Sequence, residues 1–441
     1  VGVTKLKHPR YFHRLLSVEP GKIIAIGGVS GKGEKAPSEV IEIPKDNPNS
    51  AAMSDWPRYQ GPRGDGTTPE AGWNTDWPAD GPPVLWKTEL GMGMAGFAIA
   101  GNRAFTAGND GKDHDTIWCL DLETGQPVWQ HRYSVPTKAH EMNIVPFGPA
   151  STPTVVGGRV FVTSREGHLL CLDTATGAVV WQTHFVNDLG GKRPVYGYSS
   201  SPTVDEGRIY LDIGGATGSN VCLESTSGKV VWQTGAGEAG YATPWLTELD
   251  GKKVLVLFKG EAFELRAAAD GAQLARQAME TRDFCNCATP VRRGDIFFMS
   301  HTGSEGSRAL AWGKNGLEEL WVERDLGLLF QSGAPFQGRL LAFNDSKRGE
   351  NDLRLVDLET GKSVWETAVV DKGSSVVTDD GHAMFLTNKG ELVLAKVSLG
   401  GLEVLQRVQV LGGKSYVQPA LGQGRVICRN NAGSAVCLDL R

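Results

Sequence analysis

One phrase recurs along the chain and limits what it can fold into. Asp173-Thr-Ala-Thr-Gly-Ala-Val-Val-Trp181 reads as a tight turn leading into a strand. Asp173 and Thr176 have short side chains that can bond back onto the turn, and Gly177 can take a positive φ. Val179, Val180 and Trp181 then open a β-branched and aromatic strand. The phrase returns at 121–129 (DLETGQPVW), 224–232 (ESTSGKVVW) and 357–365 (DLETGKSVW). Self-similarity at a fixed period is a statement about architecture before anything else.

Two features count the repeats independently. The first is a glycine turn before a hydrophobic strand, at Gly101, Gly158, Gly207, Gly251, Gly294, Gly338, Gly381 and Gly424. The second is the tryptophan position: Trp86, Trp129, Trp181, Trp232, Trp321 and Trp365, with Ala275 and Leu405 in degenerate repeats. Both give eight. A period of about 40–50 residues with about four strands each predicts an all-β, eight-bladed β-propeller. The last repeat stops at Arg441 without a fourth strand, while Val84-Leu-Trp86-Lys-Thr-Glu-Leu90 is a fourth strand with no repeat before it. Placed together they complete one blade, so the N-terminal strand closes the ring and leaves no open sheet edge.

This divides the chain into an N-terminal β extension with a linker (1–52), an arm rich in Trp, Pro and Gly (53–81) and the propeller (82–441). In the extension, Arg10–Val18, Gly21–Gly28 and Glu39–Ile43 read as three short strands. The Arg/His strand followed by a hydrophobic strand ending in Gly27-Gly28 resembles one kelch blade. The arm's tryptophans, Trp56, Trp73 and Trp77, are expected to bury against the propeller.

Composition narrows the function classes. Net charge is −5 and no Lys/Arg-rich stripe stands out, which argues against nucleic acid as a partner. No apolar run reaches transmembrane length. Cys119, Cys171, Cys222 and Cys437 occupy one repeat position in different blades. They therefore read, with Cys428, as small buried residues rather than disulfides. Cys285 and Cys287 flank Asn286 and could face one way on a strand, but no second Cys/His pair lies at ligand spacing, so neither a metal nor a disulfide role is expected of them. Asp65-Gly66 and the acidic loop Asn109–Asp115 lack the ordered ligand series of a calcium loop and read as turns.

Asp-x-x-Thr-Gly-x-x-x-Trp, as at 121–129, 173–181 and 357–365, resembles the tryptophan-docking motif of the PQQ-repeat propeller superfamily. The resemblance covers residues 82–441. One branch holds quinoprotein alcohol and glucose dehydrogenases, which carry PQQ and calcium on the axis. Another is non-catalytic and includes the lipoprotein propeller of the outer-membrane β-barrel assembly machinery. A third group of exported bacterial proteins carries an arm like Trp56–Gly66. The dehydrogenases' adjacent cysteine pair has no counterpart here, and their catalytic Asp and calcium-binding residues find no matching positions. The resemblance thus implies a fold and an exported, periplasmic or secreted setting, with no chemistry attached.

A ligand site is expected at the axial mouth, on the long loops 131–149 and 183–199. His140, Glu141 and Asn143 lie on the first loop, and Tyr196 and Tyr198 on the second. Arg282 and Asp283 lead into the fifth blade, and His301 lies on a middle loop. His140, Glu141, Arg282 and Asp283 could supply an acid–base pair with an electrostatic partner, and the tyrosines could stack on a ligand. As surface residues, the same groups are solvated loops and an ion pair. The resulting expectation is a binding or assembly scaffold that takes a protein, peptide or glycan at the mouth, with no metal or cofactor. The rivals are a PQQ- and calcium-dependent oxidoreductase and a polysaccharide-binding or -cleaving propeller.

Overall fold

The computed structural model describes residues 14–19, 22–26, 39–42, 53–135, 148–346 and 352–441. The chain forms two compact units, Val1–Ala52 and Met53–Arg441. In the first, Arg14–Glu19, Lys22–Ile26 and Glu39–Glu42 make a three-stranded antiparallel sheet. The second is an eight-bladed propeller of four-stranded antiparallel sheets. None of the described residues forms a helix long and apolar enough to cross a membrane.

Blade 1 spans Ala98–Ser134, blade 2 Thr154–His184, blade 3 Thr203–Thr234 and blade 4 Trp245–Ala278. Blade 5 spans Val291–Glu323, blade 6 Ala334–Thr367 and blade 7 Gly373–Gln409. Blade 8 joins the two ends of the propeller. Ala420–Gly422, Arg425–Arg429 and Ser434–Asp439 are completed by Val84–Glu89, with Cys437 opposite Trp86. The expected closure is therefore the one observed.

Each blade carries a β-bulge at the same place, one residue before the tryptophan position. In blade 2, Cys171 faces Trp181 but Leu172 faces Val179, so Val180 is the extra residue. A bulge bends its strand and re-aims the next side chain. Here it turns the indole onto the following blade. Trp129 Nε1 donates to the Thr174 carbonyl (2.9 Å), Trp181 to Ser225 (2.9 Å) and Trp321 to Leu358 (3.0 Å). Trp86 crosses the closure in the same way, onto Leu122 (2.9 Å). The receiving turn explains the rest of the motif. Asp173 Oδ1 accepts from the Ala175 and Thr176 amides and the Thr176 hydroxyl, and Gly177 sits at φ +72°. A Cβ on Gly177 would stand 2.6 Å from the Trp129 ring, so the glycine makes room for the neighbouring blade's indole.

Two seams lack this tryptophan. In blade 4 Ala275 holds the position, opposite Leu265. Trp312 of blade 5 instead reaches back to Asp250 Oδ2 (3.0 Å). In blade 7 the register corrects the expected position: Gln406, not Leu405, faces Leu394, and Leu405 is the bulged residue. The spacing misleads here because the degenerate strand has no aromatic to mark its register. The arm works at this seam. Trp73 packs on His382 of blade 7 (centroids 5.4 Å), and the Asn74 amide donates to Leu440 O beside blade 8 (2.6 Å). Trp56, Trp73 and Trp77 are all buried. The five repeat-type cysteines, at 119, 171, 222, 428 and 437, are free thiols buried within the blades.

Candidate functional site: a plugged axis with a one-ended cavity

The arm does more than pack at a seam. Trp56 pairs with Ile99 on the inner strand of blade 1, and the Val155 amide of blade 2 donates to Pro57 O (2.8 Å). The chain turns back at Gln60–Gly66, and Thr67–Thr68 then add as a parallel strand to Val377–Thr378 of blade 7. Arg63 forks onto Asp379 (2.6 and 2.7 Å). Glu70, fully buried, accepts from the Ser54 and Gly424 amides (both 2.5 Å) and from the Ser54 hydroxyl (3.0 Å). Burial raises the Glu70 carboxyl above its usual range despite these bonds. The arm is thus a hairpin-like plug held by blades 1, 2, 7 and 8.

Tyr59 and Gln60 at its tip line two cavities, one on each side. The larger is about 490 Å³ and the smaller about 320 Å³. The larger is walled by the loops that lead into the inner strands, together with Arg165, His301 and Thr302 from middle loops. It is therefore the axial mouth, and the arm is its floor. The smaller is walled by inner-strand residues such as Thr154, Thr203 and Leu246.

The wall of the mouth is aromatic and cationic. Trp56, Tyr59, Phe97, Tyr196, Tyr241, Phe330 and Tyr416 contribute rings. Tyr196 and Tyr241 lie 5.9 Å apart, and Phe330 and Tyr416 5.4 Å apart. Arg165, Arg282 and His301 bring positive or ionisable nitrogen. Among the described side chains, no carboxylate lines the cavity. Arg165 Nε donates to Tyr196 O (2.6 Å), and burial lowers its pKa from the usual arginine value. His301 Nδ1 accepts from the Gly303 amide (2.8 Å), which puts the proton on Nε2 in the neutral ring.

Of the residues expected at the mouth, Tyr196, Arg282 and His301 line this cavity together. Tyr198 does not. Its ring is buried against Phe185 (5.0 Å), and its hydroxyl donates to Ile213 O (2.9 Å), which corrects the stacking role expected for it. The cause is Gly197 at φ +77°, whose amide closes a turn on Pro194 O (2.9 Å). That turn breaks the strand-like alternation that would have set both tyrosines on one side. His140, Glu141 and Asn143 lie outside the described residues, and of Asp283 only the backbone turn Arg282–Phe284 is described. Sequence reasoning missed Trp56, Tyr59, Arg165, Tyr241, Phe330 and Tyr416. The arm and four separate blades supply these residues, and no linear spacing connects them.

A calcium-bound quinone would need oxygen ligands for its metal at this wall. Calcium takes six to eight oxygen ligands, mostly from carboxylates. The described wall offers hydroxyl, amide and cationic groups and no carboxylate.

A ring of eight docked blades around a plugged axis defines a PQQ-like repeat propeller. More narrowly, the chain belongs to the family of the outer membrane protein assembly factor BamB, whose family model matches residues 113–366. It is similar to the polyvinylalcohol dehydrogenase of Sphingopyxis sp. (strain 113P3), at 28% identity over 180 residues, covering 35% of this chain and 27% of that protein. It is also similar to BamB of Yersinia pestis, at 31% identity over 134 residues, covering 29% of each. The matched stretch thus spans little more than a quarter of either relative. A europium-containing methanol dehydrogenase shares the fold, with a TM-score of 0.63 at 13% identity, covering 87% of this chain and 90% of that one.

Proposed function

We propose that this chain is a non-catalytic binding scaffold of the BamB type, whose one-ended axial cavity takes a flat, anionic group presented by an extended partner. The carrying observation is the wall itself: seven aromatic rings, two guanidinium groups and a histidine, with no carboxylate among the described side chains. Aromatic faces stack flat groups, and arginine forks onto carboxylates. A protein partner with an acidic or aromatic side chain meets this chemistry, and so does an acidic glycan. Membership of the BamB family supports a periplasmic, outer-membrane-associated setting with a protein partner. The second reading, a PQQ-dependent oxidoreductase, draws on the dehydrogenase relative.

Calorimetry with PQQ, itself a flat polyanion, separates the two. The scaffold reading expects binding that is unchanged by calcium, weakened about tenfold or more by Arg282→Ala, and without dye-linked dehydrogenase activity. Binding that requires calcium and yields turnover of alcohols would replace it with the oxidoreductase reading.

A further inference from the structure

We propose that Cys285 and Cys287 form a thiol–disulfide exchange site in the wall of the axial cavity, acting on low-molecular-weight disulfides. Both residues line the cavity, and their sulfurs stand 3.3 Å apart. The five other cysteines are buried within the blades.

The segment around the pair is built to hold it. Asn286 is fully buried between the two cysteines. Its side-chain amide donates to Lys259 O (2.8 Å) and Met279 O (3.1 Å), and its backbone carbonyl accepts from the Tyr241 amide (2.9 Å). With Asn286 pinned into blade 4, its two neighbours turn the opposite way, toward the cavity. Phe284 precedes them at φ +54°, a left-handed conformation that bulky residues avoid. Arg282, one turn earlier, adds a cation to the same wall.

A disulfide needs the two sulfurs at about 2.05 Å, which side-chain rotation reaches from 3.3 Å, whereas a tetrahedral zinc takes four ligands. Among the described residues, the one grouping of three metal-capable side chains is Asp110, Asp113 and His114, in blade 1.

The Cys287 sulfur can donate to both the Cys285 sulfur and the Cys285 carbonyl (3.5 Å). With Cys287 as the donor, Cys285 is the accepting sulfur and takes the attacking role. The bond to Cys285 and then burial hold the Cys287 thiol well above its usual range, so it follows as the resolving group. The Cys285 thiolate attacks one sulfur of R–S–S–R, forming a mixed disulfide and releasing RS⁻. The Cys287 sulfur, giving up its proton, attacks the Cys285 sulfur, forms the internal S–S bond and releases the second RS⁻. The protein loses two electrons and two protons, and R–S–S–R becomes two R–SH. None of this depends on what else occupies the cavity.

The test uses the full chain, reduced and then equilibrated against cystine or oxidised glutathione over a range of ratios to the thiol. Acid quenching, alkylation and peptide mapping follow. The wild type is expected to show a Cys285–Cys287 disulfide with the other five thiols alkylated. Cys287→Ser is expected to accumulate the mixed disulfide on Cys285, with unchanged intrinsic fluorescence as the control for folding. Recovery of both thiols alkylated at every ratio would overturn the proposal, as would a wild-type mixed disulfide that no second thiol resolves. The wild-type map decides the matter even if a variant does not fold.

Discussion

Gly177 carries two constraints, and they can be separated by experiment. Its φ of +72° costs any other residue about 1–2 kcal/mol. Its Cβ position is also filled by the Trp129 ring, 2.6 Å away. Gly158 has nearly the same φ (+74°) and nothing within 4 Å. Gly158→Ala should therefore cost only the backbone penalty, while Gly177→Ala adds about 1–3 kcal/mol of overpacking, read as a lower urea midpoint. Trp129→Ala, which empties the same contact from the other side, should cost about 3–5 kcal/mol. Asp115 offers a test by pH. It is fully buried with one bond from Asn109 (2.8 Å), and burial pushes its carboxyl up to about 6. The folded state therefore holds this proton more tightly than the unfolded chain, where Asp titrates near 3.9. The resulting stability is complete below about pH 4 and is lost as pH rises through about 6. Asp115→Asn should raise stability above that range by up to about 3 kcal/mol and change little below pH 4, checked by urea unfolding at the two extremes.

At the scale of elements, the arm is as much part of the propeller as any strand. Glu70 satisfies two backbone amides and a hydroxyl across 354 residues of sequence. Glu70→Ala leaves those donors without their acceptor and should cost about 2–4 kcal/mol. Amide exchange should quicken at Val377 and Asp379, which donate to Gly66 O (3.0 Å) and Thr68 O (3.2 Å). Arg63→Ala removes an exposed ion pair and a bond to the Thr67 hydroxyl (3.2 Å), and should cost about 1 kcal/mol. The docked blades were legible in the sequence because turn, bulge and tryptophan repeat within nine residues. The Cys285–Cys287 pair was only partly legible: alternation on a strand would set both on one side, but they follow the 3₁₀ turn Arg282–Phe284 in backbone that is not a strand. Tyr198 was misread because Gly197 reverses the chain, and its φ is invisible in a string of letters. The arm's course was illegible because its partners, Asp379 and Gly424, lie more than 300 residues away and are chosen by ring closure alone.

At the scale of the whole molecule, the cavity exists only when the ring is shut and the arm is seated. Its walls come from seven blades and its floor from a segment that precedes them all. This order has a cost during biosynthesis. Val84–Glu89 emerges early, but its partner Ser434–Asp439 comes about 350 residues later, and the Gly373–Thr378 strand that receives the arm comes about 300 later. At ~5–20 residues per second, the early strand waits ~20–70 s for its sheet. Throughout that interval Trp73, which packs on His382 of blade 7, has no blade to cover it, and Trp56 and Trp86 have blade 1 alone. The nascent chain thus presents incompletely covered indoles and an unpaired edge to its surroundings, an opening for holdase chaperones and for a neighbouring copy that could lend the missing strand.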